Sequence, residues 1–210
     1  MTLAAKLDQG LQEVGLILAP EVRQKLLDYL ALLQKWNKVH NLTAVRDPEE
    51  MVTLHLLDSL SVLPYIEGSR LLDVGSGAGL PGIPLAICKP ELQVTVLDAS
   101  HKKASFMRQA KAELKIANME VVCERVEAYQ PPALFDTVIS RAFSDLGEFM
   151  QLTRHLGKPE AQWLAMKGVY PFEELAQIKV EPIRVVPLQV PGLNAQRHLV
   201  FLSPNNLKAA

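Results

Sequence analysis

The chain has 210 residues, 49% of them hydrophobic and 21% charged, with a formal net charge of −1. This is the composition of a folded globular domain long enough for a real core, and its near-neutral charge excludes a global electrostatic footprint for nucleic acid, so any such partner must be held by local patches. No apolar run reaches the roughly 18 residues that a bilayer span needs, and residues 1–8 lack the basic and then apolar pattern of a signal peptide, so cytoplasm is the expected compartment. Cys88 and Cys123 fall in an apolar helical and an apolar strand segment without C-x-x-C spacing, which reads as reduced core thiols; no metal site is expected.

From Leu3 to about Ile66 apolar residues recur at helical spacing, with Leu26, Leu27, Leu30 and Leu33 in one stretch and Met51, Leu54, Leu57 and Leu60 in another. The spacing predicts an all-helical N-terminal cap over residues 1–66, packed as one unit on a core over 67–210. Pro20-Glu21 marks one helix start, and Asp47-Pro48-Glu49-Glu50 supplies an N-cap, a proline and acidic first-turn residues for another. Between them, Lys35, Lys38, His40 and Arg46 surround Trp36. Basic residues interleaved with an aromatic suit a nucleic-acid backbone and an unstacked base, while a lone helical tryptophan equally suits the core. His55 and Asp58, three apart on one helix face, read as a surface pair and make no convincing catalytic dyad.

Past Arg70, short β-rich runs alternate with helical ones, the pattern of a parallel sheet with crossover helices. Strands are expected at 70–74, 93–98, 120–124, 135–140, 162–167, 183–190 and 197–202, and helices at 80–88, 101–114, 146–155 and 172–178. The last two strands are joined by Pro191-Gly192-Leu193-Asn194, which is too short for a parallel crossover and fits an antiparallel hairpin. The expected class is α/β and Rossmann-like: a mostly parallel seven-stranded sheet with an antiparallel last strand, preceded by the helical cap. Residues 204–210 read as a frayed tail.

Asp73-Val74-Gly75-Ser76-Gly77-Ala78-Gly79 follows the apolar Leu71-Leu72 and precedes Leu80-Pro81-Gly82-Ile83-Pro84. Alternating glycines let the backbone turn sharply out of a strand and approach a ligand, because no Cβ blocks positive φ or close contact. Gly77-Ala78-Gly79-Leu80-Pro81-Gly82 also satisfies the dinucleotide fingerprint G-x-G-x-x-G. Asp73 decides between the two, since a carboxylate at the strand end suits the cationic amino-acid head of S-adenosylmethionine and repels a pyrophosphate. The closing hairpin points the same way, to a class I methyltransferase.

Asp98 ends the second strand about 20 residues after the first glycine, where an acidic side chain accepts hydrogen bonds from ribose hydroxyls; capping the next helix is the other reading. Arg125-Val126-Glu127 places backbone amides at the edge where an adenine would lie, and Glu127 is equally a solvated loop charge. Arg141 reaches the same edge, where its fork of donors suits a carboxylate, a phosphate or a guanine, or else pairs with Asp73 or Asp145. Lys167 steers an anionic substrate or is a solvated strand-end lysine.

Lys35-Trp36-Asn37 with Asn41-Leu42-Thr43, His55 with Leu57-Asp58-Ser59, the loop from Asp73 to Pro84, and Ile139-Ser140-Arg141-Ala142 together resemble the bacterial RsmG family, also called GidB. The resemblance is collinear from about Leu26 to Leu202. It implies transfer of a methyl group from S-adenosylmethionine to N7 of a guanine in the 530 loop of 16S ribosomal RNA; a small-molecule methyltransferase is the alternative. By motif, the family's donor-binding positions fall on Gly75, Leu80, Val126, Glu127 and Arg141, and Asp73, Gly77 and Asp98 complete the expected set. Arg141 is expected to position the reactants, without a general base, because N7 carries a lone pair and no proton. Lys35, Lys38, His40, Arg46 and Lys167 are the candidate RNA contacts. The implied partner is 16S ribosomal RNA, free, in the small ribosomal subunit or in an assembly intermediate, met by a monomer without a membrane.

Overall fold

The computed structural model describes residues 1–141, 143, 145–178 and 184–203. The expected helical cap is present. Helix α1 (Leu3–Glu13) is capped by Thr2, whose hydroxyl accepts the Ala5 amide, and α2 (Pro20–His40) starts on proline. Helix α3 (Pro48–Met51) starts where the N-cap and proline predict, with the Asp47 carboxylate accepting the Glu49 amide at 2.9 Å. It runs without a break through a π-helical turn (Val52–Leu57) into α4 (Asp58–Leu60). Leu26, Leu30 and Leu33 of α2 and Leu56 of the π turn are wholly buried, each contributing on the order of 1.5–3 kcal/mol of transfer free energy.

Seven strands follow, β1 (Arg70–Val74), β2 (Gln93–Leu97), β3 (Met119–Val122), β4 (Phe135–Ser140), β5 (Gly157–Lys167), β6 (Arg184–Pro187) and β7 (His198–Leu202). They form one sheet in the order β3-β2-β1-β4-β5-β7-β6. All neighbours from β3 to β5 run parallel, and β7 runs antiparallel to both β5 and β6. The expected hairpin therefore exists, and it places its second strand inside the sheet beside β5. Helices α5 (Gly82–Cys88), α6 (His101–Glu113), α7 (Leu146–Thr153) and α8 (Phe172–Gln177) fill the intervals.

Strand alternation divides the core between two faces. Leu71, Val96, Ile139 and Leu164 pack in one cluster with the cap, α5 and α6, while Leu72, Val74, Leu97 and Trp163 pack in another with Phe149 and Met150 of α7. The cap thus shares a continuous hydrophobic core with the sheet.

Three expectations are corrected. Strand β5 begins five residues earlier than 162, at Gly157. Its first half contains Lys158-Pro159-Glu160, which breaks the apolar period, and it pairs with β4 across an irregularity in register, a place that tolerates proline. Cys123 lies past the end of β3 and is only partly buried, with Sγ 3.4 Å from His101 Nδ1. Strand β6 spans Arg184–Pro187; Ile183, Ala142 and the expected tail at 204–210 lie outside the described residues. Among the described residues, no helix is long and apolar enough to cross a membrane.

Candidate active site

Strand order reverses at β1, with β2 on one side and β4 on the other, and ligands of such sheets bind in the crevice beyond the carboxyl ends of these strands. The glycine loop lies there. Gly75, Gly77 and Gly79 all have positive φ, at 69, 61 and 84°. The Gly75 and Ser76 amides donate to Leu97 O at 2.8 and 3.1 Å, and the Gly79 and Leu80 amides turn back to Ser76 O at 2.8 and 2.9 Å. At Gly77 a Cβ would meet nothing closer than Gly75 O at 4.0 Å, so this flank of the loop is open.

Asp73 lies on the Leu71 face of β1, wholly buried, and its Oδ2 accepts the Gly82 amide at 2.8 Å. A Cβ on Gly82 would stand 2.5 Å from Val96 Cγ1 and 2.8 Å from that same oxygen, so glycine is what lets the start of α5 reach the carboxylate. Among the described residues, the other oxygen, Oδ1, is buried without a hydrogen-bond partner. Burial pushes the Asp73 carboxyl up to about 6, opposed by the Gly82 amide, the Ser76 hydroxyl and Arg141. A carboxylate held in this way gains from an added cationic donor.

Asp98 is buried at the end of β2. Its Oδ2 accepts the Gly77 amide at 2.9 Å and Lys103 Nζ at 3.3 Å, and its Oδ1 accepts the Ser100 amide at 2.9 Å. Helix α6 is capped by Ser100, not by Asp98. Asp98 instead braces the glycine loop against the second strand, with room in its acceptor sites for a further donor. Leu80 and Val126 are buried in the two core clusters, and Glu127 is exposed beyond β3.

From the cap, the Tyr29 hydroxyl donates to Ala78 O at 2.7 Å, wholly buried. Nothing in the helical period of α2 distinguishes this tyrosine from a core residue, and the sequence reading passes over it.

The arginine expected at the end of β4 is in place, but neither anticipated partner holds it. Arg141 Nη1 donates to Leu54 O at 3.1 Å and to Asp58 Oδ2 at 3.0 Å. The other oxygen of Asp58 accepts Arg197 Nε at 2.9 Å. The expected surface pair of His55 and Asp58 is thereby corrected: they are 5% and 2% exposed and face different partners, with His55 Nε2 3.0 Å from Thr43 Oγ1. Burial, aided by the nearby Arg141 charge, lowers the His55 imidazole to about 4, so the ring is neutral near pH 7. The clue was the helix itself: Val52, Leu54, Leu56, Leu57 and Leu60 leave it no polar face, and a charge on such a helix needs a partner. Arg197, just before β7, carries no local signal and was missed.

These groups line a cleft of about 400 Å³ that also takes in Val45, Met166 and Lys167. It continues past Phe143 and Phe172 into a second cleft of about 720 Å³. Lys167 is not a solvated lysine: its side chain is 10% exposed, with Nζ 2.7 Å from Glu174 and donating to Phe143 O at 3.1 Å. Lys35, Lys38 and Arg46 are exposed, and Arg46 donates to Asn41 Oδ1 at 3.1 Å. Trp36 is partly buried against the core, its ring 5.7 Å from Phe106 and 5.0 Å from His40. Asn37 braces the end of this segment, its Oδ1 accepting the Thr43 amide at 2.9 Å; of the segment only Val45 lines the cleft, and the basic residues do not.

Comparison with known proteins finds relatives over nearly the whole chain. The family model described as GidB, rRNA small subunit methyltransferase G, matches residues 22–200. Ribosomal RNA small subunit methyltransferase G of Methylobacillus flagellatus is 66% identical over 197 residues, covering 94% of this chain and 96% of its own length. The protein of the same name from Laribacter hongkongensis is 54% identical over 204 residues, covering 96% and 99%. Among solved structures, a SAM dependent methyltransferase from Aquifex aeolicus superposes with a TM-score of 0.56 at 21% identity, covering 80% of this chain and 96% of its own.

Proposed function

The chain belongs to the GidB family of rRNA small subunit methyltransferases, and we propose that it transfers a methyl group from S-adenosylmethionine to N7 of a guanine in the 530 loop of 16S ribosomal RNA. One observation carries this reading: the open glycine cradle at the end of β1 and the arginine-lined cleft at the end of β4 lie on hydrogen-bonded neighbouring strands, where Asp73 pairs with Ile139. A donor in the first can meet an acceptor in the second.

The residues of the cradle fit that donor. The unpartnered Asp73 Oδ1 suits an ammonium group, the open flank of Gly77 admits close backbone approach beside Gly75, and Asp98 offers an acceptor to ribose hydroxyls. Val126 and Glu127 close the adenine side, and the Leu80 backbone helps to shape the loop. S-adenosylmethionine supplies an electrophilic methyl group on a sulfonium. Arg141 orients the acceptor against it. Because guanine N7 carries a lone pair and no proton, no side chain has to remove one, and neutral His55 adds no positive charge against the cation that forms on the base. Alignment of the reacting atoms about 3 Å apart is then the main contribution of the protein. Lys35, Lys38, His40 and Arg46 bind RNA around the cleft, with Lys167 a weaker contact because Glu174 holds it. The enzyme acts in the cytoplasm as a monomer, on the small subunit or its assembly intermediate.

The test is incubation with labelled methyl donor and unmodified small subunits, followed by mapping of the labelled nucleotide. Label at a guanine N7 of the 530 loop is expected. Label elsewhere in the RNA, or only in a small metabolite, overturns the reading.

A further inference from the structure

Asp58 uses one carboxylate oxygen for each of two arginines while itself 2% exposed. Stability does not explain such an arrangement, since buried ion pairs are often no better than well-packed apolar side chains of the same volume. Its geometry has another use. A guanidinium carries five N–H donors, and only part of each set is engaged here. Arg141 uses Nη1 for Asp58 and Leu54, and Arg197 uses Nε for Asp58 and Nη1 for Gln196 O. Among the described residues, Arg141 Nε and Nη2 and Arg197 Nη2 make no hydrogen bond. Both side chains keep about a quarter of their surface, 28% and 24%, and both line the same cleft.

The charges there sum to one. Arg141, Arg197 and Asp58 leave +1, and Lys167 is matched by Glu174. That suits a single phosphate, for which the arginine fork is shaped. Position along the sheet assigns the arginines. Arg141 ends β4, next to the glycine loop, whereas Arg197 precedes β7 and its Nη1 lies 3.8 Å from where a Gly168 Cβ would stand, past the end of β5. Arg197 is therefore two strands farther from the cradle, where the backbone of a nucleotide lies when its base reaches inward.

We propose that Asp58 is a positioning residue that aims both arginines into the cleft, and that Arg197 binds a phosphodiester of the RNA beside the target nucleotide. This rests on the functional reading above.

The experiment uses the full-length protein, unmodified small subunits and labelled methyl donor. RNA affinity is measured across a salt series, and donor affinity by calorimetry. Arg197→Gln is expected to lower the slope of log affinity against log salt by about one unit, as loss of one phosphate contact does. It should also raise KM for the subunit about tenfold and leave donor affinity within twofold of the parent. Asp58→Asn, which cannot hold two cations, should raise KM and lower kcat together with donor affinity retained; if that variant does not fold, Arg197→Gln decides alone. Label transfer by the parent enzyme together with an unchanged salt slope and KM in Arg197→Gln overturns this inference while the methyltransferase reading stands. Failure of the parent to label RNA overturns that reading, and this one with it.

Discussion

At the end of β1 carboxylates hold a backbone loop, and at the end of β4 a carboxylate holds two charged side chains. The glycine loop closes through contacts between near neighbours: Asp73 to Gly82 is nine residues and Asp98 to Gly77 is 21. The arginine-lined cleft closes across the whole chain, with Arg141 to Asp58 spanning 83 residues and Arg197 to Asp58 spanning 139. Short-range backbone geometry is specified by where glycine stands, so it is rigid and intolerant of added atoms. Long-range charge pairing is specified by the fold, so it tolerates shape but not loss of a partner. The two halves should fail differently.

The cleft gives the largest effect. Arg141→Ala is expected to cut methylation at least hundredfold, about 3 kcal/mol of barrier, with a fall in stability of about 1–3 kcal/mol because Asp58 keeps only Arg197. Turnover assays beside thermal melts separate the two, and near-normal turnover with intact donor affinity would remove Arg141 from the site. On the donor side, Gly82→Ala forces a methyl group against Val96 and Asp73. Donor affinity should drop tenfold or more in titration calorimetry, with an overpacking cost of about 1–3 kcal/mol; a variant that binds the donor normally would show that the loop relaxes more freely than its contacts indicate.

Acidity probes the same half without a mutation. Because burial raises the folded carboxyl of Asp73 to about 6 from 3.8, the ionised form is the disfavoured one in the free protein. The stability that goes with protonation is present below the unfolded value and is lost as pH rises through about 6. A cationic donor binds the ionised form, so its affinity should fall about tenfold from pH 7 to pH 5, with proton release on binding near pH 6. A flat profile with no proton release would mean that Asp73 does not face the ammonium. The smallest effect tests the link between the cap and the loop. Tyr29→Phe leaves Ala78 O without its donor, and about 1 kcal/mol should be lost from stability, with donor affinity down several-fold and RNA affinity unchanged. Equal loss of both affinities would instead mark Tyr29 as a general support of the fold.

The same contrast explains what the sequence disclosed. Strands β1 and β4 lie at the expected residues because the short β-rich runs around Leu71-Leu72 and Val138-Ile139 stand near turn-forming residues such as Gly68-Ser69, Gly75 and Pro131-Pro132, and the glycine loop was readable because its chemistry is written in adjacent letters. Asp58 was misread because a spacing of three on a helix says which residues share a face but not whether that face is wet. Arg197 was invisible because its role exists only once β7 lies beside β5, a pairing that no local pattern announces. Tyr29 was hidden for the opposite reason, since a buried tyrosine in a leucine-rich helix needs no function to account for it.

The π-helical turn between α3 and α4 has a consequence of its own. An α-helix advances about 100° per residue, and a π turn holds an extra residue within one winding. Wound as a regular α-helix with the same number of residues, Val52–Leu57 would leave everything beyond it rotated by about that angle against everything before. Asp58 would leave the arginines even though every side chain in the segment kept its chemical character. The phase of the helix, set by the π turn, decides whether the carboxylate meets its partners.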